Sequence, residues 1–215
     1  ASLLASLAAI PPAQLGQVGQ AAGGNANSPT PITDTALTDG SKPEVLYIGA
    51  GFCPYCAAER WPLVMALLQF GTFTGLTNSH SSSTDTNPNT PTFSFHGSTY
   101  TSPYLSFTAL ETTTNTYAPL DKLTSAQDAL LQKYNGGYIP FIDFGGKFII
   151  KAPQYDGKLL AGLTVDQVAA AATNLSTPVG QAIQASAANL VGVLCQLTGA
   201  KPANVCAAFP APTGA

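Results

Sequence analysis

The tetrapeptide Cys53-Pro54-Tyr55-Cys56 decides how the rest of this sequence is interpreted. An apolar run at residues 45–48 precedes it, and a segment with apolar side chains at helical spacing, residues 57–68, follows it. This pattern predicts a buried strand that gives way to a helix at the cysteines, with Pro54 at the first helical position. Because free N–H groups and the positive end of the helix dipole stabilise a thiolate, we expect Cys53 to be an exposed nucleophile. Cys56, one turn further on, is its buried partner.

Two other interpretations of this cysteine spacing are open. A zinc site would need two more ligands, but the other cysteines, Cys195 and Cys206, are far away in the sequence and there are only two histidines. We therefore expect no metal. A purely structural disulfide between Cys53 and Cys56 is the alternative that the sequence leaves open.

The composition suits a protein with a core of good size and few charges. Of the 215 residues, 45% are hydrophobic and only 9% are charged, against about a quarter charged in ordinary soluble domains. The net charge is −3 with eight Lys and Arg in total, so nothing favours binding to nucleic acid. No apolar run reaches the roughly 18 residues of a membrane span.

The second cysteine pair indicates an oxidising compartment. Cys195 lies at the predicted end of a helix, and Lys201-Pro202 can turn the chain back towards it. A structural Cys195–Cys206 disulfide leaves the first pair free, and such bridges persist mainly outside the cytosol. We expect an extracytoplasmic protein, secreted or tethered to a membrane by a signal or anchor that is absent from this chain.

Three regions are expected along the chain: residues 1–43 as an N-terminal arm or linker, 44–175 as one domain, and 176–215 as a C-terminal helix with a disulfide-pinned tail packed on it. Within the domain, the helix after Cys53 should reach about residue 70, and residues 73–77 should form a weak second strand. Residues 80–122 read as a β and loop insertion, with strands near 92–95 and 104–107 in a hairpin or meander.

The remaining elements carry local signals. Capping-box sequences open helices at Thr124 and Thr164, and Thr177-Pro178 opens a third helix that ends near Gly199. Two apolar strands flank Gly145-Gly146 between residues 141 and 150, which predicts a tight hairpin.

This order of elements resembles the thioredoxin fold. The resemblance rests on Cys53-Pro54-Tyr55-Cys56, on Ile139-Pro140, and on the hairpin followed by helix 164–175, and it covers about residues 44–175. The chain is similar to exported DsbA-like and thioredoxin-like domains, including membrane-tethered ones. The fold class expected is therefore α/β, thioredoxin-like, with a β and loop insertion between the cysteine helix and the cis-proline and an extra C-terminal helix.

The resemblance also implies roles for residues. Pro140 takes the position of the family's cis-proline beside the cysteine pair, so Cys53, Cys56 and Pro140 form the expected catalytic site. Pro54, Tyr55 and Ile139 border it and are expected to bind substrate, with the Ile139 backbone pairing an extended substrate strand. The family's buried acid, six residues before the first cysteine, is replaced by Tyr47. Without a carboxylate there, the Cys53 thiolate should be favoured.

Several other side chains have both a functional and an ordinary interpretation. His80 could approach the cysteines, but a solvated loop histidine is favoured, and His96 is expected to be structural or exposed. Glu59 and Arg60 are expected on an exposed helix face rather than as groups that tune the cysteines. The aromatic side chains that could line a groove are favoured as core residues; they are Trp61, Tyr100, Tyr104 and Phe107.

The function expected from these features is an exported thiol–disulfide oxidoreductase, acting as an oxidase or isomerase of protein disulfides. It needs no cofactor. Its partners are protein thiols and disulfides, together with a membrane redox partner. The alternative is a thioredoxin-fold binding or scaffold module in which the Cys53–Cys56 disulfide is inert.

Overall fold

A mixed β-sheet organises the chain in the computed structural model, which describes residues 2–22 and 27–209. The helices are α1 (Leu3–Ala8), α2 (Pro12–Ala22), α3 (Pro54–Leu67), α4 (Ser125–Asn135), α5 (Val165–Ala172), α6 (Pro178–Leu197) and α7 (Ala203–Cys206), with a 3-10 turn at Gly157–Leu160. The strands are β1 (Thr30–Pro31), β2 (Thr38–Asp39), β3 (Lys42–Gly49), β4 (Thr72–Thr74), β5 (Thr77–His80), β6 (Pro91–Ser94), β7 (Thr99–Thr101), β8 (Ser106–Glu111), β9 (Phe141–Phe144) and β10 (Phe148–Ile150). The chain is therefore of mixed α/β class.

Strand β3 lies at the centre of this sheet. It pairs in parallel with β8, from Glu44 opposite Ser106 to Gly49 opposite Glu111. It pairs in antiparallel fashion with β9, which continues through β10 to β1. The short β2 pairs with the beginning of β3. The chain thus leaves β3 at the cysteines and returns to the sheet beside it as β8.

Side chains of β3 alternate between two hydrophobic clusters, because successive residues of a strand point to opposite faces. Val45 and Tyr47 join the larger cluster, which contains residues of α3 and α6, whereas Leu46 and Ile48 join a smaller one with Leu131 of α4. The strand is buried on both faces, as its continuous apolar run predicts. This burial holds the end of β3, and with it the cysteines, in one position.

The stretch between α3 and β8 differs from the prediction. Strands β5 and β6 pair with each other, and β4 and β7 pair outside them, so residues 72–101 form two nested antiparallel pairs. The parallel neighbour of β3 is β8, which falls inside the predicted insertion 80–122, and not residues 73–77. The predicted pairing of strands near 92–95 and 104–107 is wrong, because each pairs with a different partner.

Helix and turn signals close to one another in sequence are confirmed. The predicted capping boxes at Thr124 and Thr164 have both of their reciprocal hydrogen bonds. The β9–β10 hairpin is present, although its loop has three residues, since Phe148 lies opposite Phe144. Helix α3 runs through Pro62 without interruption and ends at Leu67, earlier than predicted.

Both ends of the described chain pack onto the domain. Leu7, Ile10 and Leu15 of the N-terminal segment are buried in the larger cluster, and α2 packs against α6. Val205 and the Cys195–Cys206 disulfide lie in the same cluster. Residues 2–22 therefore contribute to the core, unlike the arm or linker predicted. Among the described helices, none combines the length and the apolar character needed to cross a membrane.

Candidate functional site

The two cysteines lie where β3 ends and α3 begins. Cys53 is the N-cap of α3, and its sulfur accepts a hydrogen bond from the Cys56 backbone N–H at 3.2 Å. Pro54 occupies the first turn, where no N–H is required. Cys53 and Cys56 both carry free thiols. A sulfur in this position can accept hydrogen bonds from the N–H groups that a helix leaves unpaired at its start.

Cys53 is more enclosed than the sequence predicts. Only 3% of its surface is exposed, Cys56 is fully buried, and the two pack with Ala50 against Phe52 and Ile139. The expectation of an exposed Cys53 is therefore wrong for the free chain. The half-buried side chains of Ile139 and Phe52 pack against the pair.

The environments of the two thiols move their pKa values in opposite directions. The hydrogen bond from the Cys56 thiol lowers the pKa of Cys53, with further contributions from the backbone N–H groups of Cys56 and Tyr55 and from the Arg60 charge, against the effect of burial. Burial raises the pKa of Cys56 well above its ordinary value, and the interaction with Cys53 adds to this rise. One thiol is thus prepared to ionise and the other to hold its proton.

Ile139 and Pro140 immediately precede β9. The Ile139–Pro140 peptide bond is cis, as predicted. Ile139 packs directly against the cysteine cluster. Pro140 is buried, and its carbonyl oxygen accepts a hydrogen bond from Asn135 Nδ2 at 3.3 Å.

Three exposed tyrosines lie next to residues of the site in sequence or in contact with one of them. Tyr55 is 47% exposed, Tyr117 49% and Tyr138 76%. They come from the first turn of α3, from the loop after β8 and from the residue before Ile139. The ring of Tyr117 stacks on Phe52 with 4.7 Å between the ring centroids. Phe52 and Tyr117 thus place two stacked rings beside the cysteine cluster.

The aromatic residues named as groove candidates lie elsewhere, as the ordinary interpretation favours. Trp61 is fully buried, packs on Phe93 and donates its indole N–H to the Pro91 carbonyl at 2.9 Å. Tyr100 and Phe107 belong to a separate aromatic cluster. Tyr104 is half-buried in the turn before β8.

The histidines have local contacts. His80 is exposed at the end of β5, with Nδ1 2.8 Å from the Ser81 carbonyl oxygen. Its loop does reach the site, since the Ser82 N–H donates to the Phe52 carbonyl at 2.9 Å. His96 is exposed and lies 3.0 Å from an Asp121 carboxylate oxygen.

Among the described residues, no group of three His, Cys, Asp or Glu side chains could hold a metal ion.

Arg60 is the residue near the cysteines that sequence reasoning placed wrongly. It is fully buried, not on an exposed helix face. Its Nε donates to the Tyr47 hydroxyl at 3.0 Å, and its Nη2 donates to the Ala50 carbonyl at 2.8 Å. The same Nη2 lies 3.2 Å from the Glu111 carboxylate, which is itself 1% exposed.

A buried carboxylate is therefore present behind the cysteines after all. Tyr47 replaces the acid on β3, but Glu111 on the neighbouring β8 lies opposite Gly49 and extends to Arg60. Burial raises the pKa of Tyr47 well above its ordinary value, so the phenol stays neutral. Position 47 carries no carboxylate, as the sequence shows, but the fold places Glu111 against Arg60 instead. The sequence around Tyr47 or Arg60 cannot identify Glu111 as their partner, because Glu111 is distant in sequence from both.

Glu59 is the second buried charge that was expected to be exposed. Its carboxylate accepts hydrogen bonds from the Gln154 backbone N–H at 3.0 Å and from Gln154 Nε2 at 2.9 Å. Burial raises the pKa of Glu59 to about 8, and the bonds from Gln154 oppose the rise. Glu59 thus joins α3 to the segment after β10.

The predicted pairing of Cys195 with Cys206 is present, with 5.5 Å between the two Cα atoms. The bridge joins α6 to α7. It also borders a cavity of about 770 Å³ between α2, α6 and residues 199–209, which contains neither Cys53 nor Cys56. The two cysteine pairs are therefore separate in space and in bonding.

Comparison with known proteins supplies a family. No curated protein and no solved structure matches the sequence. One family model, described as a domain of unknown function (DUF929), matches residues 29–196. The match runs from β1 to the end of α6 and includes both cysteines of the candidate site. Since it covers well over half of the sequence, this chain belongs to the DUF929 family.

Proposed function

We propose that this protein is an exported thiol–disulfide oxidoreductase with a thioredoxin-like fold. The order β3, α3, β8, α4, the β9–β10 hairpin and α5 follows the strand–helix–strand–helix–hairpin–helix order on which the resemblance rests. Its central strands run β8, β3, β9, β10, and among the described strands β3 and β8 are the one parallel pair. The cysteines stand at the end of the central strand.

One observation carries the functional proposal: the Cys53 sulfur caps α3 and accepts the Cys56 N–H, while Cys56 is enclosed behind it. A structural disulfide needs no difference between its two sulfurs. An exchange site does, because one sulfur must meet the partner and the other must complete the reaction.

In the oxidising direction, a substrate thiolate attacks the Cys53 sulfur of the Cys53–Cys56 disulfide. A mixed disulfide forms and Cys56 leaves as a thiolate, which takes up a proton. A second substrate thiolate then attacks the substrate sulfur of the mixed disulfide, and Cys53 leaves as a thiolate. Two electrons have passed from the substrate dithiol to the protein, which ends as the dithiol that the structure contains. In isomerisation the dithiol form acts instead: the Cys53 thiolate attacks a substrate disulfide and releases one substrate thiolate. A different substrate thiolate then attacks the substrate sulfur of the mixed disulfide and releases Cys53 as a thiolate, with no net change of oxidation state.

Both the compartment and the partners belong to this proposal. The Cys195–Cys206 disulfide supports an oxidising environment. There the protein would act on protein thiols and disulfides, and its dithiol would be reoxidised by a membrane redox partner. No bound cofactor is needed, since the electrons stay on sulfur. Pro54, Tyr55 and Ile139 would border the bound substrate.

The test is catalysis of disulfide exchange in proteins. We expect the purified chain to accelerate the reactivation of a scrambled disulfide protein and the reduction of insulin by a small dithiol. Cys53→Ser should abolish both activities, and Cys56→Ser should trap mixed disulfides. The matched control is Cys195→Ala/Cys206→Ala, which removes two sulfurs distant from the site and should retain exchange in the folded protein.

The 3% exposure of Cys53 favours a second candidate, a binding module whose Cys53–Cys56 bond is inert. In that case the wild-type chain and Cys53→Ser would behave alike in both assays. The oxidised protein would also resist reduction by glutathione under native conditions, because no partner sulfur could reach Cys53.

A further inference from the structure

Arg60 lies directly behind the cysteine pair, and the exchange scheme above does not use it. It is four residues after Cys56 on α3, so the two side chains share one face of the helix. Ala50 lies between them: it packs with both cysteines, and its carbonyl oxygen accepts the Arg60 Nη2 hydrogen bond at 2.8 Å. In the described part of the chain, Arg60 is the one Lys or Arg that is buried.

Groups on three strands hold the Arg60 guanidinium in place. Tyr47 of β3 accepts from Nε, the Phe93 carbonyl of β6 accepts from Nη1 at 3.2 Å, and Glu111 of β8 faces Nη2. Glu111 is fixed in turn, because its carboxylate accepts the Phe95 N–H at 2.9 Å and the Ser94 hydroxyl at 2.7 Å. The charge of Arg60 therefore has a fixed position, and the Glu111 carboxylate partly neutralises it.

We propose that Arg60 is a positioning residue for the exchange reaction: its buried charge stabilises the thiolates of Cys53 and Cys56, and Glu111 sets how much of that charge they receive. The inference rests on the proposed function. It assigns the stabilisation of the Cys56 leaving group to a fixed cation rather than to an acid that gives the departing thiolate a proton. In a buried setting such a charge acts with little screening.

Other charged groups near α3 are less suited to this role. Asp156 and Lys158, beside the 3-10 turn that packs on α3, are exposed, and so is His80. Helix α6 brings no Lys, Arg, Asp or Glu to this contact. Glu59 accepts from Gln154, and Tyr155 donates to the Ala58 carbonyl, so these hydrogen bonds are made with groups other than Arg60 and its partners.

Four variants separate an electrostatic role from a structural one. Glu111→Gln leaves the Arg60 charge without its counter-ion, Arg60→Lys keeps the charge, and Arg60→Met/Glu111→Gln removes both charges together. Glu59→Gln is the control for a structural effect, since it replaces a buried side chain on the same helix that does not contact Arg60 and whose carboxyl group, with a pKa of about 8, already holds its proton below that pH. Each is tested as the full reduced chain, by the rate of Cys53 alkylation with iodoacetamide against pH and by equilibration with glutathione.

The expected shifts have opposite signs. Glu111→Gln should lower the midpoint of Cys53 alkylation by about one pH unit, and the double variant should raise it by about as much. Arg60→Lys and Glu59→Gln should stay close to wild type. With glutathione, the equilibrium constant should move about tenfold towards the dithiol in Glu111→Gln and towards the disulfide in the double variant, which is about 30 mV each way for two electrons.

A structural role would instead shift all variants in one direction, in proportion to their loss of stability. The proposal is overturned if Glu111→Gln does not lower the Cys53 midpoint, or if Glu59→Gln changes it as much. This comparison holds even if the double variant fails to fold. Alkylation needs no protein substrate. If the variants show these shifts but the wild-type chain catalyses no exchange in proteins, the proposed function is rejected and the role of Arg60 is kept.

Discussion

Three ionisable side chains of α3 are fully buried, and each has its own partners. Cys56 lies behind Cys53, Glu59 is bonded to Gln154, and Arg60 is paired with Glu111. Burying an ionisable group without partners would cost several kcal/mol, so these contacts are needed for α3 to pack at all. They also give α3 a chemistry that its amphipathic pattern alone would not suggest.

Cys53 is predicted to be the faster of the two thiols. Because the Cys56 thiol, the helix N–H groups and Arg60 lower the pKa of Cys53, its alkylation midpoint should fall below the roughly 8.5 of a free thiol. Cys53→Ser should lose the fast phase. Cys56→Ala should keep it at a higher midpoint, since the hydrogen bond from the Cys56 thiol is gone. Mass spectrometry of peptides labelled at several pH values measures both sites, and equal slow labelling would contradict the assignment.

Glu59 is predicted to make stability fall as the pH rises. The pKa of its carboxyl group is raised from 4.5 to about 8 by burial, so the folded state binds the proton more tightly than the unfolded chain. The contribution is fully present below pH 4.5 and is lost towards pH 8, with a slope of at most about 1.4 kcal/mol per pH unit. Urea unfolding at pH 5 and pH 8 should show a smaller difference for Glu59→Gln. An equal difference in both proteins would show that Glu59 does not titrate in this range.

At the scale of elements, the sequence predicts what depends on neighbouring residues. The capping boxes at Thr124 and Thr164 and the Gly145-Gly146 turn act over three or four residues, and all of them form. Strand β8 could not be identified as the partner of β3, because parallel pairing depends on contacts between residues about 60 positions apart. The same holds for Glu59, whose partner Gln154 is 95 residues away.

The disulfide between α6 and α7 is predicted to stabilise the domain. It closes a loop with a sequence separation of 11, and α7 is a short helix whose buried side chains are Val205 and Cys206. By loop-closure entropy, Cys195→Ala/Cys206→Ala should lower the free energy of unfolding by about 3 kcal/mol. Denaturation with urea measures the change. An unchanged midpoint in urea would mean that the tail is held by Val205 and Phe209 packing instead.

At the scale of the whole molecule, the fold brings three separate segments to one place. The end of β3 and the start of α3 carry the cysteines, the loop after β8 brings Tyr117, and the segment before β9 brings Ile139. Behind them, β8 supplies Glu111 to Arg60. The cysteine spacing predicts the first of these contributions, but the others depend on how β8 and β9 flank β3.

The reduction potential of the Cys53–Cys56 pair, measured by equilibrating the full chain in glutathione buffers, tests the central claim most directly. A stabilised Cys53 thiolate favours the dithiol and makes the disulfide more oxidising. We predict a potential between about −120 and −180 mV, the range of known protein oxidases and isomerases. A value near the roughly −270 mV of thioredoxin would contradict the assignment and make this protein a reductant supplied with electrons from elsewhere. Failure to exchange with glutathione at any ratio would show that the pair is structural.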